Sequence, residues 1–107
     1  MLLASHLRVT HSYVLAEFIA LAQARRLPRQ AALSFVVDLE ASSVVELTYV
    51  DKTLHQAALD LLGKRLDKTW SLCDAVTFLL MDHYRVREAL TTDHHFEQAG
   101  FVRLLKP

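Results

Sequence analysis

Three acidic residues, Glu17, Asp74 and Asp93, have side chains that could do chemistry if the fold brings their carboxylates together. Clustered carboxylates repel one another, and a hard divalent cation usually resolves the repulsion. Mg²⁺ or Mn²⁺ takes oxygen ligands and keeps bound waters, and such a water can attack a phosphate. The residue types therefore predict a metal-assisted hydrolytic site, provided that the surrounding elements place the three acids on one rim.

The predicted elements alternate between strands and helices. Apolar runs and period-two alternation predict short strands at 7–11, 45–50, 88–92 and 101–105. Apolar stripes at helical spacing predict helices at 13–26, 28–41, about 53–66 and 72–84, with a helical turn at 94–99. The stripes expected to face inward on the first two helices are Val14, Phe18, Leu21 and Ala22, then Leu33, Val36, Val37 and Ala41. This order favours an α/β layered fold with a mainly parallel sheet.

That topology predicts where the acids meet. Parallel sheets bind ligands beyond the carboxyl ends of their strands. Glu17 lies early in the helix that leaves strand 7–11, and Asp93 directly follows strand 88–92. Helix 72–84 is joined to strand 88–92 by a short link, so the two are expected to run antiparallel. The N-terminal end of this helix, which carries Asp74, is then expected at the edge of the sheet where Asp93 lies. The alternative is that Asp74 only complements its helix dipole and Asp93 only caps a turn.

Other chemically capable residues give weaker signals. The six histidines (6, 11, 55, 83, 94 and 95) lack the spacings typical of zinc-binding helices. His94 and His95 could touch phosphate, but turn packing or solvation is the favoured interpretation. Cys73 is expected to be a small buried side chain, since no neighbouring base indicates a nucleophile. Trp70 could stack on a base, although packing beneath a helix start is favoured.

Two basic clusters could hold RNA phosphates. Arg25, Arg26 and Arg29 form the first, and Lys64, Arg65 and Lys68 form the second. The alternative is that these cations are solvated at helix ends. Twelve basic and twelve acidic side chains balance, which argues against nucleic-acid binding by bulk electrostatics alone.

Length and composition limit the class of protein. The 107 residues predict one domain over 1–107, and a 52% hydrophobic content excludes a disordered chain. A single cysteine excludes an internal disulfide and fits a reducing cytoplasm. The start has no signal-peptide pattern, and no apolar run is long enough to span a membrane.

Three stretches around the acids resemble PIN-domain nucleases, including toxins of the VapC type. The resemblance covers the chain from about Leu7 onward, and the two C-terminal motifs at their spacing are its more specific part. The stretches are Val9-Thr-His-Ser-Tyr-Val-Leu-Ala-Glu17, Trp70-Ser-Leu-Cys-Asp74-Ala-Val-Thr-Phe78 and Ala89-Leu-Thr-Thr-Asp93-His-His-Phe96.

The resemblance implies a three-layer α/β/α fold and cleavage of single-stranded RNA with Mg²⁺ or Mn²⁺. Carried over, it makes Glu17, Asp74 and Asp93 the metal-binding catalytic acids. Thr91 or Thr92 would support the site, together with Ser71, the predicted N-cap of helix 72–84. Many relatives are toxins restrained by an antitoxin protein, and many form homodimers, so both partners are expected here.

The chain departs from the family at its N-terminus. Family members begin with a central strand that ends in an aspartate, whereas no acid precedes Glu17 here. About one βα unit of roughly thirty residues is missing, so the domain is expected to be N-terminally shortened. We expect either that strand 7–11 pairs directly with strand 88–92 or that a second chain fills the gap. The alternative function is a non-catalytic remnant that dimerises or binds an antitoxin.

Overall fold

The computed structural model describes residues 2–4, 7–89 and 95–103. Their elements are β1 (Leu2–Ala4), β2 (Leu7–His11), α1 (Ser12–Ala24), α2 (Arg29–Ala41), β3 (Val45–Thr48), α3 (Lys52–Lys64), α4 (Leu72–Tyr84), β4 (Glu88–Ala89), α5 (His95–Gln98) and β5 (Val102–Arg103). The predicted α/β class is confirmed, and so is the predicted order of elements from residue 7 onward. The parts of predicted elements that fall at 90–94 and 104–105 lie outside the described residues. Within the described ranges, no helix is long and apolar enough to cross a membrane.

The sheet has the strand order β3-β2-β1-β4-β5. On one side β2 and β3 pair in parallel, and on the other side β4 and β5 do the same. Between them β1 runs antiparallel to both neighbours, so that Leu2 lies opposite Val9 on one side and Ala89 on the other. The four strands other than β1 therefore all point in one direction, and their carboxyl ends share one edge.

Residues 2–4 occupy the gap expected in the middle of the sheet. Both sequence predictions for that gap are wrong: β2 does not pair directly with β4, and no second chain is needed to separate them. Unpaired strand edges leave backbone donors and acceptors without partners, which favours filling the gap. Only residues 5–6 separate β1 from β2, and so short a connection allows an antiparallel return but no parallel crossover.

Helix α4 supplies most of the core. Seven of its side chains are buried: Cys73, Ala75, Val76, Thr77, Phe78, Leu80 and Met81. They pack with Val9 of β2, Ala58 of α3 and Ala89 of β4. Phe78 also stands at the centre of an aromatic group, with its ring 5.0 to 5.7 Å from those of Trp70, Phe96 and Phe101. The predicted inward face of this helix is confirmed, and Trp70 packs beneath its start as expected.

The predicted inward faces of α1 and α2 are only partly correct. On α1 the buried residues are Leu15 and Ala22, whereas Leu21 is 51% exposed. On α2 the buried residues are Ala32 and Val36, and Val37 is 60% exposed. Both helices have apolar residues on more than one side, so a stripe at helical spacing does not reveal which side faces the sheet. The two helices pack on each other and leave an apolar surface open.

The C-terminal end of α4 holds Arg85 in a left-handed conformation, with φ 57° and ψ 35°. Its backbone N–H donates to Asp82 at 3.2 Å, and that of Val86 donates to Met81 at 2.8 Å. This is the hydrogen-bond pattern of a helix end that glycine normally occupies, because a Cβ is strained there.

Replacing Arg85 by glycine should therefore stabilise the protein by about 1 kcal/mol, measured by urea unfolding. Arg85→Ala is the matched control, since it removes the same long side chain and keeps the strained Cβ. Equal unfolding free energies for the Gly and Ala variants would contradict this explanation.

Candidate active site

The first turn of α4 fixes Asp74 through a reciprocal cap. The Ser71 side-chain oxygen accepts a hydrogen bond from the Asp74 backbone N–H at 3.0 Å, and Asp74 Oδ2 accepts one from the Ser71 backbone N–H at 3.0 Å. This capping box satisfies two backbone donors that the helix leaves open. Ser71, predicted as a supporting residue, thus holds the Asp74 carboxylate at the start of the helix.

His95 makes a second contact with the same carboxylate. Its Nδ1 lies 3.1 Å from Asp74 Oδ2, and its Nε2 lies 3.2 Å from the Thr69 hydroxyl. Both partners of the first contact are largely buried, with 18% and 17% of their side-chain surfaces exposed. Because His95 begins α5, the contact ties the chain that follows β4 to the start of α4. Sequence reasoning missed it, since residues 21 positions apart on two helices carry no spacing signal.

Glu17 lies on the open side of α1, close to the thiol of Cys73. Burial, together with the charge and hydrogen bonding of the Glu17 carboxylate, raises the pKa of that thiol to about 12. The charge of Asp74 acts on the thiol in the same direction. Glu17 and Asp74 therefore both have Cys73 as a neighbour. Cys73 itself is buried, as the sequence predicted.

The third acid, Asp93, lies outside the described residues, and so do Thr91, Thr92 and His94. Within the described ranges, no three His, Cys, Asp or Glu side chains are grouped so that they could hold a metal ion. Of the three predicted acids, Glu17 and Asp74 are the two that lie within the described ranges.

His11, at the carboxyl end of β2, is buried beside this site with 1% of its surface exposed. Its Nε2 lies 2.7 Å from the hydroxyl of Thr77, and that hydroxyl donates at 3.0 Å to the Cys73 carbonyl. Burial lowers the pKa of His11 to about 4, so the ring is neutral at physiological pH. The sequence offered one unused signal for this residue: a histidine at the end of an apolar strand, at the edge where the site was predicted.

The first basic cluster surrounds the connection from α1 to α2. Arg25 and Arg26 follow the last turn of α1, Arg29 begins α2, and all three are exposed. Arg29 also donates to the Gln23 side chain at 3.3 Å. Eight residues of helix separate Glu17 from Arg25, which corresponds to about 12 Å along α1. The cluster therefore flanks the acidic edge and does not lie within it.

One solved structure similar to this chain is that of VapC20 from Mycobacterium tuberculosis, described as a sarcin-ricin loop cleaving toxin. The TM-score is 0.82 at 28% sequence identity, and the match covers 97% of this chain and 78% of VapC20. No protein-family model and no curated protein matches the sequence. The structural similarity confirms the resemblance to VapC-type PIN domains that the sequence motifs predicted, and with it the fold class.

The lowered pKa of His11 predicts that the protein loses stability in acid. Between the ordinary value of 6.5 and about 4, the unfolded chain binds a proton that the folded chain does not. The contribution of His11 is therefore complete above pH 6.5 and is lost as the pH falls towards 4, by up to about 3 kcal/mol. Urea unfolding at pH 7.5, 5.5 and 4.5 measures this loss.

His11→Gln should reduce the acid-dependent loss, whereas His83→Gln, at an exposed histidine of α4, should keep it. An equal loss in wild type and His11→Gln would show that other groups cause the acid sensitivity.

Proposed function

We propose that this chain, which has the fold of VapC-type PIN domains, hydrolyses phosphodiester bonds in single-stranded RNA with the help of a divalent metal ion. The observation that carries the proposal is the structural similarity to VapC20, described as a sarcin-ricin loop cleaving toxin. It is supported by Asp74, which Ser71 and His95 hold at the start of α4, and by Glu17 near the adjacent Cys73. The same end of α4 contacts α5 through His95, two residues after Asp93. We propose Asp93 as the third acid, as the family resemblance implies.

The donor set suits Mg²⁺ or Mn²⁺, because both ions prefer carboxylate oxygens. Glu17, Asp74 and Asp93 are the residues proposed to hold the ion. When bound, it would polarise a phosphate oxygen and lower the pKa of a coordinated water. The nearby sulfur of Cys73 does not compete, because Mg²⁺ and Mn²⁺ prefer oxygen to sulfur ligands.

The residues around Asp74 orient its carboxylate for binding the metal ion. Oδ2 accepts hydrogen bonds from the Ser71 backbone and from His95, which fixes the side-chain rotamer. Such contacts orient a ligand before the metal binds, and they are usually worth one to two orders of magnitude in affinity. We also propose that the hydroxyl of Thr91 or Thr92 supports the site, as the family resemblance implies.

Arg25, Arg26 and Arg29 are proposed to bind the RNA backbone. All three are exposed, and their distance along α1 from Glu17 would let one strand contact the arginines and the acidic edge together. Cationic contacts to phosphates position a strand without reading its sequence. A local cluster also agrees with the balanced overall charge, because it requires no excess of basic residues over the whole chain.

The apolar surface of α1 and α2 favours a protein partner. Leu21, Leu33, Phe35 and Val37 are all at least 40% exposed, and the Phe18 and Phe35 rings contact each other at 5.2 Å. We propose that the chain is the toxin of a toxin–antitoxin pair in the cytoplasm and forms homodimers, with an apolar segment of the antitoxin or of a second copy on this surface. The same surface favours the alternative, a non-catalytic module that only dimerises or binds the antitoxin.

Glu17→Gln and Asp93→Asn should each abolish Mn²⁺ binding at micromolar concentrations and lower RNA cleavage by at least about a hundredfold, because each removes a charged ligand. Mn²⁺ binding is measured by isothermal titration calorimetry, and cleavage is measured on a labelled single-stranded RNA. Asp60→Asn, an exposed acid of α3, is the matched control and should change neither quantity.

Cleavage that survives Asp93→Asn would assign the activity to another site or to a contaminating nuclease. A wild-type chain that binds no Mn²⁺ and cleaves no RNA, but binds a second copy or an antitoxin, would support the non-catalytic alternative.

Removing the three arginines together should weaken RNA binding and flatten its salt dependence. On a single strand, neutralising one phosphate contributes about 0.7 to the slope of log K against log salt, so the triple Ala variant should reduce that slope by up to about 2. Fluorescence anisotropy at several NaCl concentrations measures the slope. Lys52→Ala, at the start of α3, is the control, and an unchanged slope in the triple variant would exclude the cluster.

A further inference from the structure

A buried chain of hydrogen bonds connects the two helices that carry the candidate acids. It starts at His11, the last residue of β2, passes through the Thr77 hydroxyl and ends on the Cys73 carbonyl in the first turn of α4, with distances of 2.7 and 3.0 Å. Only 1% of His11 and 6% of Thr77 is exposed. Neither residue is open to solvent, so neither is placed to touch an RNA strand.

The donors and acceptors in this chain determine the tautomer of His11. The single hydroxyl proton of Thr77 is donated to the Cys73 carbonyl, so the Thr77 oxygen can only accept from the histidine. Nε2 therefore carries the ring proton and Nδ1 carries a lone pair. Within the described part of the chain that lone pair has no hydrogen-bond partner, although the atom is buried. An unpaired buried acceptor costs stability, so packing alone is a poor reason for a histidine at this position.

Cys73 links this chain to both acids. Its carbonyl receives the Thr77 hydroxyl, its thiol is close to Glu17, and the next residue is Asp74. His11 directly precedes α1, and Glu17 lies six residues or about 9 Å further along that helix. The contact of His11 with Thr77 therefore determines where α1 begins relative to the first turns of α4.

We propose that His11 and Thr77 are positioning residues, which hold α1 against the first turn of α4 so that Glu17 and Asp74 keep the separation that a shared ligand requires. The consequence for metal binding rests on the proposed function, whereas the geometric part stands on the contacts alone. A purely structural pair would affect stability without changing the affinity for Mn²⁺.

Thr77→Val tests the proposal, because valine keeps the shape of threonine and removes the hydroxyl. We expect Mn²⁺ affinity to fall about tenfold or more, as for other groups that orient metal ligands, and kcat for RNA cleavage to fall while KM is unchanged. Thr77→Ser keeps the hydroxyl and should retain both values. Weakened Mn²⁺ binding in both variants alike would overturn the proposal, because packing of the threonine methyl would then explain the loss.

The outcomes separate the failure of this proposal from the failure of the proposed function. Wild-type Mn²⁺ affinity in Thr77→Val would overturn the positioning role, even if the variant is less stable. A wild-type chain that binds no Mn²⁺ would refute the proposed function and, with it, the consequence for metal binding. If Thr77→Val does not fold, His11→Leu replaces it, and the same results are expected.

Discussion

The burial of α4 is the constraint on which the rest of this structure depends. Seven of its thirteen residues are buried, so a single partner surface cannot cover the helix. The sheet covers part of it, α3 another part, and an aromatic group around Phe78 the rest. A helix that is apolar on most sides has to sit in the interior, and the other elements are arranged around it. The candidate site lies at the N-terminal end of this helix, where polar side chains follow the buried apolar ones.

At that end the polar groups are satisfied mainly by one another. Ser71 and Asp74 cap the helix reciprocally, and the Thr77 hydroxyl takes the Cys73 carbonyl as its acceptor. Buried polar groups cost stability when they have no partner, so this arrangement restricts which side chains can move. The same contacts that stabilise the start of α4 also determine the direction of the Asp74 carboxylate. Stability of the helix end and organisation of the site are therefore two results of one set of hydrogen bonds.

Much of this could be predicted from the sequence, for specific reasons. The face and the N-cap of α4 were correct because its apolar spacing and the Ser71–Asp74 pair are local signals. The position of Asp74 near the part of the chain that follows β4 could be predicted from the topology, because the short link between α4 and β4 makes these two elements antiparallel. The orientation of α1 could not be predicted, because Leu15 and Leu21 lie on different sides and are equally apolar. Strand β1 was missed because three residues show no periodicity, and its place is set by the unpaired edges of β2 and β4.

The direction of β1 bears on where the proposed site can take its acids from. Since β1 runs antiparallel to β2, its last residue, Ala4, pairs with Leu7 at the amino end of β2, while Leu2 pairs with Val9 nearer the carboxyl end. The end of β1 therefore lies at the edge of the sheet opposite the candidate site. This strand fills the centre of the sheet, but it does not reproduce the family pattern of a central strand that ends in a ligand aspartate at the site. The acids of the proposed site accordingly belong to α1, to α4 and to the sequence that follows β4.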